Sequence, residues 1–540
     1  GKRTRIRRMR RGRILYNGIR LPSIWPPAMR SLSPVPRVPP YLVHPPAVIP
    51  IDVGRQLFVD YFLIQHTTLK RTYHAAEYVP GNPVLKPDRP WENGTDSPYA
   101  MVFSDGVWYD PKDSLFKMWY MAGHSSSTCY ATSQDGLRWD KPSLDIVPGT
   151  NVTHQGTRDS STVWMDLEEP DPARRFKMVR SHGNGGWGLS IHFSSDGIHW
   201  SDAVARSGRC GDRTTVFWNP FRKVWVFSLR DYEGGGMGRF RRYWENGDIV
   251  AGARWETGEP PLWTRADDSD LQHPSLRTKP ELYNLDAAAY ESLLIGLFSV
   301  WRGQPTDRPK INEVVVGFSR DGFHWHRPER SASISVSETS GNWNWGNVQS
   351  AGGCCLVVGD RLFFYVSGRA GVRGTSKSGM CSTGLAVLRR DGFASMDADK
   401  AGGTLTTRPV RFRGKYLFVN VDAEGGELRV EVLDRKGRIV RPFSRGKCIP
   451  IDSDKTLQQV DWEGTEDLSS LAGKAVKLRF HLVSGRLFAF WVSPDASGAS
   501  YGYVAAGGPG CKANLDDAGR SAYAAAGTLR LPCAHGRSEA

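Results

Sequence analysis

Between about residues 51 and 490 the apolar residues recur in short strand-like runs, and long helical patterns are nearly absent. The runs are rich in Val, Phe, Trp and Tyr, and Gly, Pro and Asp interrupt them; SPYAMVF, LFKMWYMAG and STCYATS are examples. Short runs of β-branched and aromatic residues between turn-forming residues are typical of antiparallel strands. The pattern predicts an all-β protein.

One turn motif, Ser-x-Asp-Gly-x-x-Trp, follows such runs at Ser133–Trp139, Ser194–Trp200 and Ser319–Trp325. The glycine of an Asp-Gly turn accepts the positive φ that a tight connection needs. The first two motif glycines are 61 residues apart and the third follows after 125, about two such intervals. A weaker copy, Arg390–Phe393, and the pair Asn246-Gly247 complete the series. We interpret the motif Asp residues as turn residues away from catalysis.

The spacing indicates five units of about 60 residues, each with three or four strands. A four-stranded unit repeated radially is a β-propeller blade, so we predict a five-bladed β-propeller as the catalytic domain over residues 51–400. A chain of sandwiches explains the recurring turn less well. The turn is absent from residues 401–492, where alternating runs predict a β-sandwich. Residues 493–540 are rich in Gly and Ala and are expected to be loosely ordered.

The formal net charge of +15 belongs mainly to the first 50 residues, which hold eleven Lys and Arg and no acid. The other 490 residues carry only +4, since they hold 60 basic and 56 acidic residues. Ten prolines between Pro22 and Pro50 predict that residues 1–50 form an extended, disordered leader. Contact of this leader with nucleic acid or an anionic surface is one interpretation, and an unprocessed or misassigned leader is the favoured one. No specific nucleic-acid binding is expected.

Other classes of protein are disfavoured by what the sequence lacks. No apolar run reaches the 18 or more residues of a membrane span, and no clear signal peptide is present. The eight cysteines include no CxxC pair, and His124, His182 and His273 lack metal-ligand spacing, so no metal site is predicted. Cys511 and Cys533 are either a disulfide pair or free thiols. No cofactor is expected, although a structural or channel cation such as calcium is compatible with the sequence.

A carboxylate precedes the first strand of three consecutive units: Asp96, Asp159 and Asp212. The first strands of propeller blades line the central channel, so these side chains are expected to converge there. Glycosidic cleavage needs one carboxylate as nucleophile or base and a second that stays protonated, and close like charges help to keep one neutral. The structural alternative is that each Asp caps the turn before its strand.

With these residues the chain resembles the five-bladed propeller glycoside hydrolases of families 32 and 43 and, more distantly, the phosphorylases of family 130. Asn82–Leu85 with Pro90–Glu92, the acids before the strands and the following sandwich carry the resemblance, over about residues 55–490. Thr95–Val102 resembles their Asn-Asp-Pro-Asn-Gly motif, which implies that Asp96 is the nucleophile or base. Arg158-Asp159-Ser160 is similar to the family 32 Arg-Asp-Pro motif, which implies that Asp159 holds sugar hydroxyls and stabilises the transition state.

The proton donor is left open between three residues. Those families carry a Glu-Cys-Pro or Glu-Gly-Pro motif, and the nearest match here, Thr278–Tyr283, has Thr at the expected Glu position and Glu281 three residues later. Asp212 is the positional alternative. Glu291 is the third choice, because a Glu beside an apolar run is costly unless it faces water or a partner.

Sugar binding is expected from aromatic and basic side chains at the channel mouth. The candidate aromatic residues lie in glycine-rich, loop-like settings and are Trp91, Trp187, Trp343 and Trp345. Arg158, Arg213 and Arg230 are candidates for an anionic sugar, and ion pairing with the nearby acids is their structural alternative.

The sequence thus predicts a glycoside hydrolase (EC 3.2.1.-) of polysaccharide degradation that cleaves a terminal furanosidic or similar sugar in the axial pocket. A non-catalytic propeller that binds glycans or proteins and a phosphate-dependent phosphorylase are the alternatives. A carbohydrate substrate favours a secreted or periplasmic location. The sugar, the linkage, the stereochemical outcome and the oligomeric state do not follow from the sequence.

Overall fold

The computed structural model describes residues 12–94, 97–183 and 186–527, and most of the ordered elements are strands. The described α-helices are short: Pro40–Val43, Ile249–Gly252 and Arg520–Ala526. Single 3₁₀ turns lie at Pro90–Glu92, Pro172–Arg174, Arg445–Lys447 and Ser469–Leu471. None of the described helices has the length and apolar character needed to cross a membrane.

Five antiparallel sheets, numbered 1 to 5, follow one another along the chain. Sheet 1 contains Ala100–Asp110, Leu115–Ala122, Ser127–Ser133 and Val152–Gln155. Sheet 2 contains Ser161–Met165, Phe176–His182, Gly188–Ser194 and Ala205–Arg206. Sheet 3 contains Thr215–Asn219, Val224–Glu233, Gly238–Asn246 and Leu262–Arg265.

Sheets 4 and 5 each recruit a strand from far away in the sequence. Sheet 4 contains Glu281–Glu291, Leu293–Gly303 and Ile311–Ser319, and Tyr503–Val504 pairs beside the first of them. Sheet 5 contains Gly346–Ser350, Leu356–Val358, Arg361–Arg369 and Cys381–Arg389. Its outer strand is Glu77–Tyr78, which precedes sheet 1 in the chain.

The five sheets close into a ring. The first strand of sheet 1 contacts that of sheet 2, and the contacts continue through sheets 3 and 4 to sheet 5, which contacts sheet 1 again. Because Glu77–Tyr78 pairs with Cys381–Arg389, the beginning and the end of the ring are joined by backbone hydrogen bonds. The first strands therefore surround a common axis.

The repeated turn follows the third strand of sheets 1, 2 and 4, and its hydrogen bonds explain its residues. In the second copy Ser194 Oγ accepts the amide of Gly197 at 2.9 Å, and Asp196 Oδ1 accepts those of Ile198 and His199 at 2.8 and 2.9 Å. The other two copies make the same bonds. The prediction that the motif aspartates serve the turn is confirmed.

The motif also ties neighbouring sheets together. The indole of Trp119 in sheet 1 donates to the carbonyl of Gly197 in sheet 2 at 2.7 Å, and Tyr365 in sheet 5 donates to Gly136 in sheet 1 at 2.6 Å. Gly197 has φ +79°, and a Cβ there would lie 2.5 Å from the Trp119 ring. Backbone conformation and close packing both require glycine at this position.

Two further sheets pack face to face. Sheet 6 contains Asp454–Val460, Tyr416–Asp422, Gly485–Ser493, Ala394–Ala398, Lys70–Tyr73 and Gln56–Leu57. Sheet 7 contains Glu427–Leu433, Lys477–Val483, Gly403–Thr407 and Ile64–Thr67. A separate pair joins Ile49–Pro50 to Val410–Arg411. The aromatic rings of Phe58, Phe480 and Phe490 contact one another in the core between sheets 6 and 7.

The predicted boundaries at residues 51 and 400 do not separate the sheets of the ring from sheets 6 and 7. Lys70–Tyr73 pairs with Ala394–Ala398 of sheet 6, and both segments were placed in the propeller from the sequence. Alternation shows that a segment is a strand, but it does not show which distant strand it will pair with. The chain passes through sheets 6 and 7 before and after it forms the ring.

Residues 12–50 and 494–527 are more ordered than the sequence predicts. From residue 12 onward the leader packs against both parts of the protein: Leu15 and Tyr41 are buried in the apolar core with residues of sheets 6 and 7, and the Tyr16 hydroxyl donates to the Ser292 carbonyl beside sheet 4 at 2.5 Å. The predicted disorder of residues 1–50 is wrong for this part, because a proline-rich segment can still bury apolar side chains. Residues 1–11, with most of the basic side chains, lie outside the described residues.

The segment after residue 493 also packs, and its buried Ser500 and Asp516 lie against the ring. Cys511 is a buried free thiol, and no disulfide joins any of the described cysteines. Cys533 lies outside the described residues, so the proposed Cys511–Cys533 pair stays a prediction.

Candidate active site

Asp159 and Asp212 lie close together at one end of the ring, each directly before the first strand of its sheet. The Ser160 hydroxyl, next to Asp159, donates to the Asp212 carbonyl at 2.8 Å. Each carboxylate accepts the amide of the following residue, from Ser160 at 2.7 Å and from Arg213 at 2.8 Å. The same local geometry therefore presents a partly exposed carboxylate from two neighbouring sheets. Asp96, the third acid of the predicted set, lies outside the described residues.

The two carboxylates have different surroundings. Burial, together with the negative charge of Asp212, raises the pKa of Asp159 to about 6, while Arg213 and the Ser160 amide act in the opposite direction. Asp212 has the Nε of Arg230 at 3.5 Å from its Oδ1. Asp159 can therefore hold a proton near neutral pH beside a second acid that has a cationic neighbour.

Arg158 points away from the opening of the site. Its Nη1 and Nη2 lie 2.7 and 3.0 Å from the two oxygens of Asp105, and its Nε donates to the Asp159 carbonyl at 2.8 Å. Both side chains are fully buried. Burial raises the pKa of Asp105, and Arg158 opposes this. The Arg158 guanidinium, which the sequence suggests as a substrate ligand, is thus engaged by the buried carboxylate of Asp105. It also holds the backbone carbonyl of Asp159 in place.

Arg213 and Arg369 bring positive charge to the site without an ion pair among the described residues. Arg213 donates to Gln349 Oε1 at 3.1 and 2.8 Å and stacks over the Phe103 ring at 3.8 Å. Arg369 donates to Ser378 Oγ at 2.7 Å. The Arg369 side chain starts opposite Gly346, at the end of the ring where the first strands begin. Sequence reasoning missed Arg369 and Gln349 because no motif marks the register of sheet 5.

A bridge of hydrogen bonds links the first strands of sheets 1, 4 and 5 across the ring. Asp286 Oδ2, in sheet 4, accepts the hydroxyls of Ser104 in sheet 1 and Ser350 in sheet 5 at 2.7 and 2.6 Å. Asp286 is buried at the centre of the strand Glu281–Glu291. Three small residues, Ala287 to Ala289, follow Asp286 in this strand and are the sequence signal for this close approach.

Glu281 and Glu291 lie at opposite ends of one eleven-residue strand, roughly 30 Å apart at about 3.3 Å per residue. Arg241 donates both to the Arg213 carbonyl and to the Tyr283 carbonyl, which places the Glu281 end near Asp212. The structure therefore does not bring Glu291 to the same end of the ring as Asp159 and Asp212.

The carboxylates of Glu281 and Glu291 are both engaged. Glu281 Oε2 lies 2.5 Å from Nη1 of Arg239. Glu291 is fully buried, 3.2 Å from Arg390 and 3.6 Å from Arg55, and it accepts the hydroxyl of Ser500 at 2.6 Å. Glu291 thus joins sheet 4 to the segments that lead into sheet 6 and the chain end.

The four predicted sugar-binding tryptophans differ in exposure. Trp91 donates to Asn151 Oδ1 at 2.8 Å, and Trp345 is buried beneath Arg308. Trp343 covers Gly384, where a Cβ would lie 2.1 Å from its ring. Trp187 has 38% of its surface exposed and directly precedes the strand Gly188–Ser194. Of the four, Trp187 offers the most open ring for a sugar.

Within the described part of the chain, no three His, Cys, Asp or Glu side chains are placed to hold a metal ion. A channel cation and the absence of a cofactor remain predictions of the sequence.

No protein-family model matches the sequence, and no curated protein matches it. A thermostable family-43 glycoside hydrolase is similar in structure, with a TM-score of 0.38 and 10% identity over 54% of this chain and 92% of that chain. A fructofuranosidase from Schwanniomyces occidentalis complexed with fructose has a TM-score of 0.34 and 10% identity, over 77% of this chain and 98% of that chain. A mannose phosphorylase from Leishmania mexicana in complex with phosphate ion has a TM-score of 0.36 and 8% identity, over 59% of this chain and 89% of that chain. These proteins belong to the group of enzymes that the sequence motifs resemble.

Proposed function

We propose that sheets 1 to 5 are the blades of a five-bladed β-propeller, that sheets 6 and 7 form a β-sandwich, and that the protein is a glycoside hydrolase. The observation that carries the proposal is the pair Asp159 and Asp212 at the start of neighbouring first strands, with the pKa of Asp159 raised to about 6. Hydrolysis of a glycosidic bond needs one carboxyl group that is protonated and one that is ionised.

Asp159 is the proton donor in this mechanism. Its raised pKa keeps a fraction of the group protonated near neutral pH, so it can protonate the leaving oxygen. Asp212 or Asp96 then acts as base or nucleophile. Glu281 is the weaker candidate for the donor, because its carboxylate is already engaged in an ion pair with the Arg239 guanidinium.

The closed axis supports action on a terminal sugar. Because Asp286, Ser104 and Ser350 are hydrogen-bonded across the axis, a chain bound at Asp159 has no passage through the ring at that level. A pocket with a closed floor accommodates the end of a glycan better than its middle. This agrees with the terminal furanosidic or similar residue expected from the sequence.

Phosphorolysis is the second candidate, and the two arginines of the site favour it. Arg213 and Arg369 donate to neutral partners, so their positive charge is available to an anion beside Asp159. A phosphate held there could replace water as the nucleophile towards the sugar. In this reading Asp159 keeps its role as proton donor.

The test is a screen of aryl glycosides and oligosaccharides with the wild-type protein, in parallel with and without inorganic phosphate. On any substrate found, Asp159→Asn and Asp212→Asn should each lower kcat/KM by at least about 100-fold, as expected for groups that transfer protons. Asp461→Asn, a change of the same kind on an exposed residue of the sandwich, should leave the rate unchanged.

The outcomes of the screen distinguish a hydrolase, a phosphorylase and a non-catalytic propeller. Product that forms only with phosphate would identify a phosphorylase. Full activity in both site variants would refute the assignment of the carboxylates. Glycan binding in calorimetry without turnover of any substrate would instead support a non-catalytic propeller.

A further inference from the structure

A polar cavity lies between the outer strands of sheets 1 and 2. Its volume is about 660 Å³. Its lining includes three histidines, two arginines and a serine: His154, His182, His192, Arg180, Arg206 and Ser190. None of these residues takes part in the proposed hydrolysis. We name this cavity the basic groove.

The strand register of sheet 2 builds the floor of the basic groove. Arg180 is paired with Ser190, and Ser190 is paired with Arg206, so the three residues form one row across three adjacent strands. Directly paired residues of antiparallel strands point to the same face. His154 of sheet 1 faces this row, and its ring lies 4.9 Å from that of His192. The guanidinium groups of Arg180 and Arg206 thus lie on either side of the Ser190 hydroxyl, and histidine side chains line the groove beside them.

The groove has too little negative charge for its cations. Asp202, an exposed residue, is the one carboxylate among its lining residues, and neither arginine forms an ion pair within the described chain. Arg180 Nη1 instead lies 2.8 Å from Nδ1 of His154, and Arg206 Nη1 lies 3.3 Å from Nε2 of His182. The Nε of Arg180 is buried without a hydrogen-bond partner.

The positive charges in the groove also affect each other's ionisation. Burial and the charge of Arg180 lower the pKa of His154 to about 3, and burial lowers the pKa of Arg180 to about 10 with help from Arg158. A buried cation with an unsatisfied donor is stabilised when an anion supplies both charge and acceptor oxygens. Binding of an anion would therefore relieve a cost that the empty groove carries.

We propose that the basic groove is a binding site for an oxyanion, namely a sulfate, phosphate or carboxylate group. Two guanidinium groups on either side of a hydroxyl match the several acceptor oxygens of such a group, since guanidinium donors bind oxyanions in pairs. The group is either a free ion or the acidic substituent of a glycan.

If the oxyanion is the acidic substituent of a glycan, the basic groove would lie on the path of the substrate. Ser181, next to Arg180, accepts the amide of Asp159 through its carbonyl oxygen at 2.8 Å. An acidic glycan cleaved at Asp159 could thus extend into the groove. This part of the inference rests on the proposed function, whereas oxyanion binding itself does not.

The test is isothermal titration calorimetry of the full chain with sodium sulfate and sodium phosphate, against sodium chloride at matched ionic strength. A saturable heat with sulfate or phosphate and none with chloride is expected. Arg206→Gln should weaken the binding by about tenfold or more, because one charge-assisted bidentate contact is lost. Arg206 is exposed, so this variant should fold as the wild type does. Arg361→Gln, on an exposed residue of sheet 5, is the matched control and should bind as the wild type does.

A parallel titration compares oligogalacturonate with a neutral galacto-oligosaccharide of the same length. Tighter binding of the acidic chain than of inorganic sulfate or phosphate, lost in Arg206→Gln, would identify the glycan as the source. Equal binding would identify the free ion. Absence of saturable binding by all of these anions, or unchanged binding in Arg206→Gln, would overturn the proposal. Failure to find hydrolysis would leave the inorganic-ion result standing, so the two proposals fail separately.

Discussion

Arg158 donates two parallel hydrogen bonds to the carboxylate of Asp105, at 2.7 and 3.0 Å, and both side chains are fully buried. The pair joins the loop before sheet 2 to the first strand of sheet 1, directly beneath Asp159. Arg158, which the sequence suggests as a ligand of an anionic sugar, thus holds the backbone carbonyl of Asp159, the proposed proton donor.

Removal of the Arg158 side chain should destabilise the protein strongly. Arg158→Met leaves the Asp105 charge buried without its partner, and loss of one member of a buried pair costs about 3–5 kcal/mol. Urea unfolding should show a loss of this size, against little change for Arg138→Met on an exposed turn. The double variant Arg158→Met with Asp105→Leu should be less unstable than the single one. Wild-type stability of Arg158→Met would contradict the assigned role.

Asp159→Asn should change stability in a pH-dependent manner. The pKa of Asp159 is about 6 in the folded protein and close to 3.9 when unfolded, so the ionised group opposes folding. This cost is fully present above about pH 6 and disappears as the pH falls through the unfolded value. The variant should therefore melt at a higher temperature than wild type at pH 8 and show no gain at pH 3.5. A gain confined to the acidic side would refute the raised pKa.

The same pKa predicts the pH dependence of catalysis. A proton donor works in its protonated form, so kcat/KM should fall as the pH rises through about 6. Glu281→Gln should keep this limb of the profile, because its carboxylate is paired with Arg239 and is not the donor here. If Glu281→Gln removed the limb while Asp159→Asn retained it, the two roles would have to be exchanged.

Glu291→Gln should affect stability and leave catalysis unchanged. The Glu291 carboxylate is buried between Arg390 and Arg55, at the other end of its strand from the residues near Asp212, so its neutralisation leaves two buried cations with less compensation. We expect a loss of about 3 kcal/mol in urea unfolding. At temperatures well below the transition, kcat and KM should equal the wild-type values. A selective loss of kcat would show that this carboxylate does take part in the chemistry.

Two tryptophans should respond in opposite ways to truncation. Trp343 packs on Gly384 and lies edge-on against Tyr78 with ring centroids 5.4 Å apart, so Trp343→Ala should cost about 3–5 kcal/mol of stability. Trp187 has 38% of its surface exposed, so Trp187→Ala should cost clearly less stability than Trp343→Ala. Its effect should instead be on KM for a glycan substrate. An unchanged KM would remove Trp187 from the site.

The weaker copy of the turn motif shows that the same local sequence does not always predict the same contacts. Asp391 in Arg390–Phe393 has the sequence of a turn residue, yet it is fully buried, with Arg55 Nη1 at 2.9 Å and the Tyr290 hydroxyl at 2.6 Å. The other copies bond only to their own turn through the Asp Oδ1. Identical dipeptides therefore serve different purposes, depending on what the rest of the chain brings to them.

Alternation and turn chemistry act over a few neighbouring residues, so the sequence by itself determined the strands, the Asp-Gly turns and the regular spacing that places Asp159 and Asp212 in equivalent positions. Only the tertiary structure decided which distant groups meet. The addition of Glu77–Tyr78 to sheet 5, the pairing of Arg158 with Asp105 and the burial of Glu291 between Arg55 and Arg390 all depend on contacts between segments far apart in the chain. Such contacts are selected by the combined packing of the ring, which no local pattern encodes.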